Sequence, residues 1–269
     1  LASLTTSTTA VPLRARWTRT THLVRGLAVR EFRARYRQSF LEIAWSLITP
    51  VVLLAVYGII LTRVFRVSSP GVPYLSFVWT GMVVWMMFAS AVGGGVHSII
   101  GNRDLISKIY FPREALPLAV VGAAFLDLLI GVAVLIPLVA VQVGLPSWTA
   151  VAAIPGLIVA IIWIATFTTF VAALAVFVRD VAVAMGLVLQ VGFFATPIMY
   201  PSSVLPDELQ WLNRVNPLAV CIDALRASLL LDEWPDWTLL GTHAAIGVVC
   251  FLLVVLYVRS VETRMADVV

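Results

Sequence analysis

Long uncharged apolar runs alternate with short charged segments along most of the chain. Six of these runs are long enough to cross the hydrocarbon core of a bilayer, which takes about 20 helical residues. Ile43–Leu61 and Val72–Val96 carry no formal charge. Ala115–Val143 holds one acid, Asp127. Val151–Val178 and Val181–Tyr200 are uncharged and are separated only by Arg179 and Asp180. Leu239–Val258 contains His243 and no formal charge. The pattern predicts an all-α integral membrane protein with six transmembrane helices.

Composition agrees. Of 269 residues, 61% are hydrophobic and 12% charged, against about 25% charged in an ordinary soluble domain. That leaves no room for a soluble enzyme beside the membrane part, so one membrane domain is expected. The opening "LASLTTSTTAVPLRARWTRT" lacks the apolar core of a cleaved signal peptide. Cys221 and Cys250 have no metal-ligand spacing, and His22, His97 and His243 are far apart. Neither a metal site nor a disulfide is expected.

Basic residues set the expected topology, because cytoplasmic loops are enriched in Lys and Arg. Six spans place both termini on one side. Arg14, Arg16, Arg19, Arg25, Arg30, Arg33, Arg35 and Arg37 precede the first span. Arg103, Lys108, Arg113, Arg179, Arg259 and Arg264 fall on the same side, leaving only Arg63, Arg66, Arg214 and Arg226 opposite. Both termini are therefore expected to be cytoplasmic.

The segments between spans carry their own patterns. In "VREFRARYRQSF", Val29, Phe32, Tyr36 and Phe40 recur at helical spacing beside a stripe of Arg30, Arg33 and Arg37. This reads as a helix lying in the membrane interface, with arginines reaching lipid phosphates, rather than a plain basic flank. Residues 201–237, on the outside, contain six acids and four prolines. Asn216 is a candidate cap with Pro217 at the first helical position, and Leu225, Leu229 and Leu230 share one face. Two short re-entrant helices fit this segment better than an external loop. The organisation expected is a flexible cytoplasmic N-terminus (1–22), an interfacial helix (23–41), a six-span domain (42–258) and a cytoplasmic C-terminus (259–269).

No catalytic constellation accompanies this layout. The lone lysine, Lys108, lies between Ser107 and Ile109, so no phosphate-binding Gly-Lys-Ser/Thr motif exists. There is no HExxH, no GxSxG and no close pair of carboxylates within a span. Any driven transport must draw on an ion gradient or a partner chain. Asp127 is the one intramembrane acid suited to ion coupling; a structural bond to a neighbouring helix is the competing reading.

One charged segment stands out. In "GNRDLISKIYFPREALP", Asn102 suits an N-cap, and Asp104 and Lys108 match the helix dipole and form an i,i+4 pair. Leu105, Ile106, Ile109 and Tyr110 share a face, and Pro112 ends the helix. Such an amphipathic helix, over 101–112, rests on lipid headgroups or enters a groove on another protein.

The chain resembles the membrane subunits of bacterial ABC transporters that export polysaccharides, namely the O-antigen, capsule and teichoic-acid exporters. The resemblance rests on "REFRARYRQSFLEIAWSLITP", "RDLISKIYFPRE", "FVRDVAVAMGLVLQVGFFATPIMYP" and "LNRVNPLAV", in that order and spacing. It implies a bacterial inner-membrane homodimer, each copy docked on one ATPase subunit that binds ATP and Mg, with no cofactor or nucleic acid on this chain. It implies that Asn102, Arg103, Asp104, Leu105, Ile106, Lys108, Ile109, Tyr110 and Phe111 form a coupling helix seated on the ATPase. The substrate implied is a lipid-linked polysaccharide; a drug or lipid exporter and an ion-coupled carrier using Asp127 are the alternatives.

A sliding sugar polymer needs aromatic faces and weak, repeated hydrogen bonds. The resemblance puts the fifth span beside the pore, making Gln190, Phe193, Phe194 and Tyr200 candidates, with Trp85 from the second span. Membrane-belt anchoring is the competing role for such aromatics. The pyrophosphate head of a lipid-linked polymer would meet Arg30, Arg33, Arg35 and Arg37, which also suit ordinary anionic lipid.

Overall fold

The computed structural model describes residues 24–31, 48, 51–52, 55–56, 59–60, 71–103, 112–262 and 264–265. Among them every regular element is helical. The helices with defined limits are α1 (Tyr74–Ser98), α2 (Ala115–Gln142), α3 (Ala153–Phe177), α4 (Asp180–Ala195), α5 (Gln210–Val215), α6 (Pro217–Leu230) and α7 (Trp237–Ser260). A 3₁₀ turn, Trp148–Ala152, leads directly into α3. A helical segment covers 24–31, and the described positions between 48 and 60 are helical and exposed.

Four helices among the described residues are long and apolar enough to cross a membrane: α1, α2, α3 with its 3₁₀ lead, and α7. They match the second, third, fourth and sixth expected spans to within three residues at each end. The first expected span, Ile43–Leu61, falls largely outside the described residues. The fifth is shorter than expected: α4 stops at Ala195 instead of Tyr200. Pro197 explains the difference, because the residue before a proline is pushed out of the helical region. Thr196 is accordingly extended, at φ −92° and ψ 134°.

Helix α1 is the central element and packs against α2, α3, α4 and α6. Trp79, Val83 and Val84 on it are almost fully buried. Polar pairs tie it to the antiparallel α2 along its length. Ser76 Oγ donates to Gln142 Oε1 at 2.8 Å, Trp79 Nε1 to the Gly131 carbonyl at 3.1 Å, and Ser90 Oγ to Asp127 Oδ2 at 2.7 Å. In a hydrocarbon setting such bonds matter because no water replaces them. The α1–α3 crossing depends on Gly95, where a Cβ would stand 2.4 Å from Thr168 Cγ2.

Helix α6 is a core element. Asn216 Oδ1 accepts from the backbone N–H groups of Leu218 (3.0 Å) and Ala219 (3.4 Å), and Pro217 occupies the first turn, as the sequence leads one to expect. Leu218, Cys221, Ile222 and Leu225 are buried against α1 and α3. Packing of this kind excludes a free external loop.

At the opposite end of the bundle a second apolar cluster joins the 24–31 segment to the helix ends. Val24 and Leu27 pack on Ile99, Ala115, Leu116, Ala172, Val176, Val258 and Met265.

Candidate functional site

At the 24–31 end, the segment expected to form the coupling helix is held at both of its ends. On one side, Arg30 Nη2 donates to Asn102 Oδ1 at 2.6 Å, and Asn102 Nδ2 donates to the Ser98 carbonyl at 2.8 Å. Asn102 thereby closes the last turn of α1 and binds the N-terminal helix. On the other side, Glu114, at the start of α2 and 2% exposed, accepts from Arg259 of α7: Nε and Nη2 both lie 2.7 Å from Oε1. Arg103 is exposed. Asp104, Leu105, Ile106, Lys108, Ile109, Tyr110 and Phe111 lie outside the described residues.

Arg30, expected to reach lipid phosphates, directs its guanidinium to a protein partner, Asn102. It also lines a cavity of about 300 Å³ with Glu31, His97, Ser98 and Asn102. Arg33, Arg35 and Arg37 lie outside the described residues.

Aromatic side chains run between α1, α3 and α4. Trp85 is 8% exposed; its ring stands 5.1 Å from Phe88 and 5.7 Å, edge-on, from Phe193. Phe193 in turn meets Phe194 edge-to-face at 5.4 Å. Edge contacts of this kind stabilise ring pairs beyond simple burial. Trp85 thus wedges between helices, with Gly192 making room: a Cβ there would stand 3.1 Å from the indole. Tyr200 is half-buried and its hydroxyl donates to the Phe194 carbonyl at 2.9 Å, which folds the turn after α4 back on the helix.

No residue of α4 is buried. Val183, Leu187, Gln190 and Phe194 form one exposed stripe at helical spacing. Gln190 is the polar member of that stripe, and Phe194 is 56% exposed. Phe193 points to the bundle and Phe194 away from it, so the two candidates divide between packing and surface.

Asp127 is buried and accepts from Ser90 across the α1–α2 interface. That is the bond to a neighbouring helix that the sequence reading set against a proton relay.

The sequence reading counted Arg226 only as an outer charge. It is 3% exposed. Nη1 donates to the Pro197 carbonyl and Nη2 to the Ile198 carbonyl, each at 2.7 Å, and Nε reaches the Phe77 carbonyl at 3.3 Å. Asp223 lies one helical turn earlier, 3.5 Å from Nη1. One guanidinium therefore joins α6, the turn after α4 and the start of α1. The available signal was an i,i+3 acid–base pair inside an otherwise apolar helix.

An α-helical bundle with four membrane-length apolar helices among its described residues and an exposed apolar stripe on α4 has the build of an integral membrane protein. Residues 22–230 match the family described as ABC-2 type transporter, and the chain belongs to that membrane family. It is 31% identical over 229 residues to the O-antigen export system permease protein RfbA of Myxococcus xanthus, covering 84% of this chain and 87% of that one. It is 30% identical over 214 residues to a protein of the same description from Klebsiella pneumoniae, covering 79% and 78%. A second Klebsiella pneumoniae relative is 30% identical over 194 residues, covering 72% and 74%.

Proposed function

We propose that this chain is the membrane subunit of an ATP-driven exporter that carries a lipid-linked polysaccharide across the bacterial inner membrane from the cytoplasmic side. Its relatives are described as O-antigen export permeases. The chain forms the conduit as a homodimer and hydrolyses no ATP itself. Two copies of a separate ATPase subunit bind ATP and Mg and supply the work.

The observation that carries this reading within the molecule is α4. This 16-residue apolar helix packs on α1 and α3 yet has no fully buried residue, and its outward face carries the polar Gln190, which suits a protein surface better than lipid. A second copy of the chain facing the Gln190–Phe194 stripe encloses a path between the two. Phe194 then offers a flat ring to the C–H faces of sugar rings, and Gln190 offers an exchangeable hydrogen bond. Neither binds tightly, as a sliding polymer requires. The cavity beside Arg30 and His97 suits the anionic head of the lipid carrier at the cytoplasmic end.

Coupling follows from the two anchored ends of the 101–112 segment. A push on a helix held by Asn102 to the N-terminal helix and by Glu114 to α7 moves both supports together. The segment's apolar face is the docking surface for the ATPase. Affinity purification of the tagged chain from native membranes recovers the ATPase subunit, and Leu105→Asp with Ile109→Asp loses it. An intact complex with full ATP-coupled export in that variant overturns the coupling assignment.

Asp127 anchors α1 to α2 through Ser90, which favours the ATP-driven reading over an ion-coupled carrier.

A further inference from the structure

At the α6 end of the bundle, α5, α6, the 231–236 segment and the start of α7 enclose an open cavity of about 460 Å³. That is within the usual size of small-molecule sites, about 300–1,000 Å³. Its wall includes Gln210, Asn213, Asp223, Glu233, Trp234 and Asp236.

Asn213 is the first clue. It is 8% exposed, and both Oδ1 and Nδ2 are buried without a hydrogen-bond partner. Buried amides are almost always paired, so two orphaned atoms on one side chain beside a cavity mark a place where something else supplies the partners. An amide offers a donor and an acceptor side by side, which is what a pair of adjacent hydroxyls requires.

Trp234 is the second. Its indole is 57% exposed at the cavity, and the neighbouring Trp237 ring stands 6.1 Å away, which restrains it. A flat apolar face over a polar cavity suits a ligand with one apolar side and a polar edge.

Charge narrows the ligand. The Glu233 backbone N–H donates to the Ala227 carbonyl at 2.9 Å, while its carboxylate makes no hydrogen bond or ion pair with any described residue. Asp236 uses Oδ1 to cap α7 through the Leu239 N–H at 3.0 Å. Asp223 is held by Ser202 and Arg226. Arg214 also lines the cavity, so three carboxylates stand against one guanidinium; the net negative charge disfavours phosphate, and the free carboxylate oxygens accept hydroxyl protons. The described residues hold no cluster of three or more metal-ligating side chains, which disfavours a metal ion.

We infer that this cavity is a carbohydrate-binding site for neutral, in-chain sugar units, away from any phosphate-bearing end. Trp234 takes the C–H face of a ring, and Asn213 with Glu233 takes its hydroxyl edge. This rests on the proposed export of a polysaccharide and adds where the emerging strand is held: on the outer face, by a site that prevents it from sliding back.

The test is saturation-transfer NMR on the full-length transporter in nanodiscs. The probes are glucose, galactose, mannose and rhamnose, each as the free sugar and as its methyl glycoside, with inorganic pyrophosphate as a counter-probe. At least one methyl glycoside receives saturation and pyrophosphate receives none. Trp234→Ala and Asn213→Ala each lower the signal about fivefold. Trp211→Ala, which removes an exposed indole from α5 outside the cavity, leaves the signal intact. Thermal melting of each variant separates lost binding from lost folding. No transfer to any sugar, transfer only to free sugars, or equal signals in all variants overturns the assignment. The same preparations are used to complement a depleted strain. Restored glycan export without sugar binding defeats the cavity assignment alone; sugar binding without restored export defeats the exporter reading alone.

Discussion

The Arg226 guanidinium lies over the Phe77 ring, 3.6 Å from its centroid, while its Nε donates to the carbonyl of that same residue. A cation is thereby kept in the core by one ring, three backbone carbonyls and one carboxylate. Removing the guanidinium leaves these carbonyls without this donor, and a buried polar group stripped of its partner costs about 1–3 kcal/mol. Arg226→Ala is expected to destabilise by that amount in thermal or denaturant unfolding of the purified protein. Arg226→Lys keeps the charge but not the planar fork, and should recover less than half of the loss.

Close helix approach gives a second prediction. A methyl at Gly95 collides with Thr168, and overpacking of this kind costs about 1–3 kcal/mol. Gly95→Ala should lower the melting temperature, and Gly95→Val more so. Gly186 on α4 has nothing within 4 Å of an added Cβ. Gly186→Ala should be neutral or stabilising by up to about 1 kcal/mol from helix propensity. Comparing the two melting curves checks both.

Asp127 supplies a third. If its carboxylate serves as an anchor for Ser90, Asp127→Asn keeps a hydrogen-bonding group of the same shape and retains glycan export within about twofold. Asp127→Leu, which leaves Ser90 Oγ without this acceptor, should cost about 1–3 kcal/mol of stability. Loss of export in a stable Asp127→Asn protein would restore the ion-coupled reading.

Asp232 carries a pH dependence. Hydrogen bonds from Ser147, and next from Thr149 (2.9 Å), hold its carboxyl below the ordinary value. A depressed folded pKa means that the stabilisation is complete above the unfolded value, about 3.9. It is lost as pH falls through the still lower folded value. Residue 232 sits at φ 57°, a conformation Asp tolerates, and these bonds add to the backbone bond from the Glu233 N–H to the Ala227 carbonyl (2.9 Å) in holding the turn. Amide exchange around residues 147–152 should accelerate in strongly acidic buffer in the wild type. In Asp232→Asn it should be independent of pH once intrinsic rates are divided out.

Particular residues show how far the sequence could be read. The four long spans were legible because apolar runs of this length with at most one charge have no other stable home, and Asn216–Pro217 announced α6 directly. The early stop of α4 was also written in the chain, at Pro197, but a hydropathy window averages across a proline. Arg226 was misjudged because counting loop charges treats every arginine outside a span as solvated. Only folding brings residues 77, 197 and 198 around it. The pair of anchors around residues 101–112 was hidden for the same reason: Arg30 with Asn102 and Glu114 with Arg259 are separated by 72 and 145 residues. Phe193 and Phe194, equal as sequence candidates, are distinguished only by the face of α4 each occupies.

The most direct test of the exporter reading is glycan lipidomics in a strain depleted of this chain, with the membranes' two faces probed separately. Lipid-linked polysaccharide should accumulate on the cytoplasmic face and disappear from the outer face, with both changes reversed by the wild-type chain but not by Leu105→Asp/Ile109→Asp. Unchanged distribution of lipid-linked polysaccharide across the membrane after depletion would contradict it.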